Sequence, residues 1–363
     1  MLFKNKPLPK GLVITAFVFA LALIIFLATS KPAKTAYKVL ALISALNPST
    51  SQLKEPPNLK PATVYYQDGD KQTEAEIFRK GYQNQGAVII SGGVALTDYN
   101  WALINAFAAN LANLGITVMI PKPEMVKNDI VTEDGIKSYV NAFKYLESQN
   151  KIDKSKIGFF GFCAGGSFVL LASEDPQINS HVSVVSAFSP YNDLIDYYSQ
   201  AFSHEAITQA GERPWEPAPE TVSALTTNFN YRLTQSTKQN NPKTQNINSL
   251  LTAIGQKGNV RQTKDTLLGS LPESFIEDAK QLSPSTKASN IKAKVYIIHD
   301  YNDTFTPREE SQRLAAAIGP NAKLVMPTIF DHTILQQNIS PIKWLTEGSK
   351  IIMFFYQTLY YLS

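Results

Sequence analysis

The chain has 363 residues, 44% of them hydrophobic and 18% charged, with 34 basic and 30 acidic side chains and a formal net charge of +4. That balance suits a globular protein with a real core, either one large domain with an insertion or two smaller ones, and the dispersed charge offers no basic stripe for nucleic acid. Cys163 is the single cysteine, and His181, His204, His299 and His332 show no H-E-x-x-H spacing, so an intrachain disulfide is excluded and no metal or other cofactor is expected.

Residues 1–10 form a basic segment with Lys4, Lys6 and Lys10. Gly11 to Thr29 (11–29) carries no charge and is long enough for a transmembrane helix. It exceeds the apolar core usual for a signal peptide, and Ala28-Thr29-Ser30 is a poor cleavage site. An uncleaved single-pass anchor is therefore the expectation, with a cleaved signal peptide as the alternative. Lysines flank both ends, with a slight excess before the span counting the amino terminus, so the domain that follows is expected outside the cytoplasm. Residues 30–61 read as a juxtamembrane segment and Pro-rich linker. Within it, Ala36 to Leu46 is apolar but too short to span. It would lie in the membrane interface or pack on the domain.

A core domain is expected from Ala62. Two strands surround a tight turn at Asp68-Gly69-Asp70, and Ala87 to Ser91 is a buried strand running into Gly92-Gly93. Tyr99 to Leu114 suits a helix capped by Thr97 or Asp98, and Ile116 to Ile120 is the next strand. Thr132 to Gln149 repeats apolar residues at helical spacing. A strand ending in Phe159-Phe160 follows, then a helix, then the strand His181 to Phe188. Strands alternating with helices predict a parallel sheet covered on both faces over 62–190. Residues 191–290 break the rhythm with an aromatic beginning (Tyr191, Tyr197, Tyr198, Phe202, Trp215) and a polar middle around 228–248. They read as a helical cap or lid, with disorder the alternative for the polar part. The alternation resumes over 291–363, with strands Ala293 to His299 and Ala322 to Met326 and a final helix Pro341 to Leu362. That last helix would cover the sheet or dip into an interface.

Between the strand ending at Phe160 and its helix lies Gly161-Phe162-Cys163-Ala164-Gly165. This is the G-x-nucleophile-x-G pattern of a sharp strand-to-helix turn, with Cys in the nucleophile position. Gly161 and Gly165 are expected because larger side chains there would collide. The thiol would sit at a helix N-terminus, where the dipole favours thiolate. A phosphate-binding turn, or a structural turn around a buried cysteine, is the competing interpretation. Asp303 follows a later strand and His332 follows the last one, so all three residues lie at the carboxyl edge of the sheet, where parallel sheets place their sites. The alternatives are Asp300 in place of Asp303, and a His332 that caps a loop or pairs with Asp331.

Gly161-Phe162-Cys163-Ala164-Gly165-Gly166 resembles the elbow of the dienelactone hydrolase family, and His299-Asp300-Tyr301-Asn302-Asp303 with Thr306-Pro307 resembles that superfamily's acid-bearing segment. The order nucleophile, acid, histidine is that of α/β-hydrolases. The resemblance implies an α/β-hydrolase fold from about Ala62 onward, interrupted by the cap. It also implies hydrolysis of an ester, lactone or thioester by Cys163, Asp303 and His332. The oxyanion hole would use the backbone N–H groups of Ala164 and of Gly93 or Val94. Family members often carry a Glu after the third strand; this chain has Ser91-Gly92-Gly93-Val94, and its insertion departs from the compact family type. Both differences imply another substrate. The expected partners are thus a small-molecule ester or lactone and the membrane. An acyltransferase using the same acyl-enzyme, or a silent hydrolase fold that only binds a ligand, are the other readings.

Overall fold

Along the third strand Ala87 and Ile89 enter one hydrophobic core while Val88 and Ile90 enter another. A strand buried on both faces in this way belongs at the centre of a sheet with a layer on each side. The computed structural model describes residues 29–46, 52–56, 58–81, 85–237 and 259–363. Residues 11–28 of the proposed membrane span, 238–248 of the polar middle of the insertion and 249–258 after it lie outside the described residues. Among the described residues no helix is long and apolar enough to cross a membrane.

The domain opens with helix α1 (Lys31–Ser44), then strands β1 (Ala62–Asp68), β2 (Lys71–Phe78) and β3 (Gln85–Ser91). Helix α2 (Asp98–Asn113), β4 (Thr117–Pro121), α3 (Glu133–Ser148), β5 (Ile152–Phe162), α4 (Ala164–Ser173) and β6 (Val184–Phe188) follow. Thr97 and Asn100 close a capping box on α2, and Thr132 caps α3 by accepting the Gly135 N–H. The strand expected from His181 begins only at Val184. Before it, the His181 and Val182 N–H groups both turn back onto the Ile178 carbonyl.

The insertion holds α5 (Leu194–Ser203), α6 (Pro219–Thr237), α7 (Val260–Ser270) and α8 (Glu273–Gln281). It is not wholly helical: a two-stranded hairpin, β7 (Glu205–Thr208) and β8 (Gly211–Pro214), separates α5 from α6. The core resumes with β9 (Lys294–Ile298), α9 (Arg308–Ile318) and β10 (Ala322–Val325). A small hairpin, β11 (Phe330–Asp331) and β12 (Ile334–Leu335), and a long helix α10 (Pro341–Leu362) end the chain. The eight-stranded sheet runs β1-β2-β4-β3-β5-β6-β9-β10, and only β2 opposes its neighbours. This is the expected mostly parallel sheet, covered on both faces.

Helix α10 lies on one face of the sheet with Ile351, Phe354, Leu359 and Leu362 buried, and the Phe354 ring meets Phe188 edge-on at 5.1 Å. It therefore covers the sheet. Helix α1 packs on α10 through Val39 and Leu42, and Lys38 Nζ donates to Ser363 Oγ at 3.0 Å. The apolar stretch from Ala36 thus packs on the domain by one face.

Helix α4 ends beside Glu174, whose carboxyl is buried, with Oε1 lacking a hydrogen-bond partner among the described residues. Burial pushes it up to about 9, with Lys287 only partly opposing. A folded-state value above the unfolded one means that the native protein holds the extra proton. Stability should fall as pH rises from the ordinary carboxyl range toward about 9, with a slope of up to about 1.4 kcal/mol per pH unit. Urea unfolding across that range should show the decline in the wild type and a flatter profile in Glu174→Gln. Parallel profiles would contradict the assignment.

Candidate active site

Strand β5 ends at Phe162 and α4 begins at Ala164, so Cys163 alone turns the chain. It does so at φ 54° and ψ −132°, a sparsely populated conformation that the surroundings must hold. Its N–H donates to the Phe188 carbonyl at the end of β6 at 2.8 Å. A Cβ on Gly161 would collide with the Gly165 carbonyl, and one on Gly165 would lie 2.6 Å from the Gly93 nitrogen. The two glycines are there for the close approach anticipated. The turn leaves Cys163 half-buried at the N-terminus of α4, lining a cavity of about 320 Å³.

Asp303 lies in the turn after β9, with its carboxylate buried. Oδ1 accepts the backbone N–H groups of Phe305 and Thr306 at 2.7 and 3.0 Å. Oδ2 faces His332 Nδ1 at 2.8 Å. Burial opposes ionisation of Asp303, but the His332 charge and hydrogen bond, the nearby His299 and the Thr306 N–H outweigh it and hold the carboxyl at about 2. His332 sits at φ 57° between β11 and β12. Its Nε2 is buried and meets no standard hydrogen-bond partner among the described residues, while Cys163 acts on the ring through charge and hydrogen bonding and lines the same cavity. Burial disfavours its charged form. The charges of Asp303 and then Cys163 prevail and hold the imidazole well above the usual histidine range. The Phe305 ring stacks on the imidazole at 4.5 Å.

The rest of the neighbourhood separates by its hydrogen bonds. Asp300 accepts the backbone N–H of His332 at 3.3 Å and that of Asn302 at 3.1 Å; the ring bond belongs to Asp303. Burial moves Asp300 up to about 6. His299 is fully buried. Its Nε2 donates to the Thr306 carbonyl at 3.0 Å, and its Nδ1 accepts the Ser311 hydroxyl at 2.6 Å. Burial keeps it in the neutral form, and it braces the turn. Ser167 is occupied donating to the Tyr191 carbonyl at 2.8 Å. His181 and His204 pair with Glu147 and Glu216 and do not line the cavity. Val94 and Ala164 line the cavity, whereas Gly93, at φ 93°, packs behind the elbow without lining it. As the first residue of α4, Ala164 has an N–H with no partner inside its helix.

The insertion contributes what its sequence did not signal. Trp215, one of the aromatics at the beginning of the insertion, is buried and donates its Nε1–H to the Asp303 carbonyl at 2.9 Å. The Tyr197 hydroxyl donates to the Phe305 carbonyl at 2.6 Å, and the Ala218 N–H to the Thr304 carbonyl at 2.8 Å. Arg213 grips Glu309 through two bonds, at 2.8 and 2.9 Å. The segment therefore clasps the acid turn, while Tyr191, Tyr197 and Tyr198 line the cavity. Trp215→Phe keeps the ring and removes the donor. Losing one hydrogen bond of about 1 kcal/mol to a buried carbonyl should lower kcat several-fold with little change in KM. An unchanged kcat would show that the clasp does not position the acid.

Residues 110–201 match the dienelactone hydrolase family. No curated protein matches the sequence. Among solved structures, the chain is similar to 2,6-dihydroxy-pseudo-oxynicotine hydrolase at 14% identity and a TM-score of 0.51, covering 84% of this chain and 68% of that one. It is similar to the alpha/beta hydrolase GrgF from Penicillium sp. sh18 at 14% identity and a TM-score of 0.52, covering 84% and 98%. It is also similar to a puromycin-hydrolyzing peptidase of Mycobacterium tuberculosis at 13% identity and a TM-score of 0.52, covering 85% of this chain but only 41% of the peptidase. At such identities the likeness is one of fold. The chain has the α/β-hydrolase fold, and over residues 110–201, which carry the elbow, it is similar to the dienelactone hydrolase family.

Proposed function

We propose that this protein is a membrane-anchored hydrolase of ester, lactone or thioester bonds, with Cys163 as nucleophile, His332 as acid and base and Asp303 as its orienting carboxylate. One observation carries the reading. His332 Nδ1 is engaged by Asp303, while the buried Nε2, with no standard hydrogen-bond partner among the described residues, belongs to a ring that lines the same cavity as a cysteine held in a strained elbow. Asp303 on Nδ1 and Cys163 beside the ring hold the imidazole well above its usual range, which suits it to serve a cysteine nucleophile as acid and base.

In the reaction, the Cys163 sulfur forms a bond to the carbonyl carbon, and the carbonyl oxygen takes the electron pair. The N–H groups of Ala164 and of Val94 or Gly93 receive that oxygen; removing one such donor typically costs about 2.7–4 kcal/mol in enzymes that use two. The bond to the leaving group then breaks as His332 gives it a proton. Water attacks the resulting thioester, His332 takes the water proton, and collapse of the second tetrahedral species releases the acid and restores the thiolate and imidazolium.

The reading is tested by mixing the protein with p-nitrophenyl acetate. A burst of nitrophenolate should accompany one acetyl group, carried on Cys163 and seen by intact and peptide mass spectrometry. Turnover with the acetyl group on another side chain would refute the assignment. The anchor rests on the uncharged run Gly11 to Thr29. Alkaline carbonate should leave the protein in the membrane pellet, and release into the supernatant would remove the anchor.

A further inference from the structure

The cavity beside Cys163 is walled by residues from helices that have no part in the triad. Leu42 and Ile43 come from α1, and Ile351, Ile352 and Phe355 from α10. Ile352 lines the cavity and is also 42% exposed, so the cavity comes to the surface along α10.

The outer faces of the same helices expose large apolar side chains among their polar ones. Tyr37 and Leu40, about one turn apart on α1, are 70% and 63% exposed. On α10, Ile342 and Leu345 are three positions apart and lie exposed at 77% and 81%, and Met353 is exposed beside Ile352. Scattered exposed apolar residues need no explanation, but rows on two packed helices bordering a cavity mouth do. Lys34 and Lys343 are exposed on the same helices, and anionic headgroups attract such charges.

Chain geometry specifies what covers this face. Helix α1 begins at Lys31, with Ser30 as its cap, immediately after the uncharged run that ends at Thr29. Two residues of chain reach at most about 7 Å. If Gly11 to Thr29 crosses a bilayer, the start of α1 lies at its headgroups, and an apolar helix face there beds into the interface.

We infer that the α1–α10 edge rests on the lipid surface, and that the cavity takes the hydrocarbon chain of a long-chain acyl ester or thioester directly from the bilayer. This rests on the hydrolase reading and names its substrate class. The chain would pass between α1 and α10 and place its carbonyl at Cys163.

The experiment uses the full chain in vesicles of phosphatidylcholine and phosphatidylglycerol. Two esters are compared, water-soluble p-nitrophenyl acetate and p-nitrophenyl palmitate carried in the vesicles. The variant is Leu40→Glu combined with Leu345→Glu, two exposed positions that do not line the cavity. Its kcat/KM for the palmitate should fall at least tenfold, with the acetate rate within a factor of two of wild type. An unchanged palmitate rate, or an equal loss on both esters, overturns the inference while leaving the hydrolase reading intact. If the wild type turns over neither ester, or if Cys163→Ala turns over both, the hydrolase reading falls and this inference falls with it.

Discussion

Cys163→Ala should fold normally and lose esterase activity by about 10⁴-fold or more. The substitution exchanges one small side chain for another in a half-buried position and leaves the glycines around the elbow untouched. On the proposed reading, what disappears is the sulfur that forms the acyl-enzyme. In enzymes whose nucleophile and base act as a unit, removing either one costs on the order of 10⁶ in kcat, and removing both costs little more. The double variant Cys163→Ala/His332→Ala should therefore be no slower than the worse of the two single ones. The check is kcat on p-nitrophenyl acetate beside a thermal unfolding curve for each variant. A folded Cys163→Ala protein that hydrolyses the ester at the wild-type rate would return Cys163 to the status of a buried cysteine in a tight turn.

The second large effect is expected at Asp303. Asp303→Asn is nearly isosteric, yet the hydrogen bonds around it specify a severe outcome. Oδ1 already accepts two backbone N–H groups, from Phe305 and Thr306, so the amide oxygen of the variant must occupy that side. The amide nitrogen then faces His332 Nδ1 and donates to it. The imidazole proton is forced onto Nε2, where it can no longer accept the thiol proton. A loss of about 10³ to 10⁴ in kcat follows for a base held in the wrong tautomer.

The same substitution has a stability signature. The carboxyl of Asp303 is held at about 2, below its ordinary value of 3.8. That lowering contributes stability above the ordinary value, worth about 2 kcal/mol, and it is lost as pH falls through about 2. Asp303→Asn should be less stable than the wild type near neutral pH, and the gap should close in acid. Urea unfolding at several pH values measures it; a gap that persists unchanged in acid would mean that the loss is one of packing.

Much of this site was legible in the chain because it depends on neighbours only a few residues away. The need for glycine at 161 and 165 follows from the steric limits of one turn. The alternation of Ala87, Val88, Ile89 and Ile90 between two faces follows from the pleat, and it makes a sheet buried on both sides the only place for that strand. A run of strands and helices in that order then brings Cys163, Asp303 and His332 to one edge of the sheet. The choice between Asp300 and Asp303 was not legible. Both follow β9, and their positions relative to His332 depend on where a hairpin nearly thirty residues later lays its imidazole.

Local sterics and hydrophobic period thus encode most elements of the core, the parallel sheet, the strained turn at Cys163 and the order of the three polar residues, but not the hairpin inside the insertion. Tertiary structure alone decided that Asp303 holds the imidazole and Asp300 only its backbone, and that Val94 rather than Gly93 faces the cavity. It also decided that Trp215 and Tyr197 of the insertion clasp the acid turn, and that α1 and α10 wall the cavity. These contacts join residues up to about three hundred positions apart. No period or motif carries such a pairing. It is set only when the two cores close and each buried donor must find an acceptor within reach.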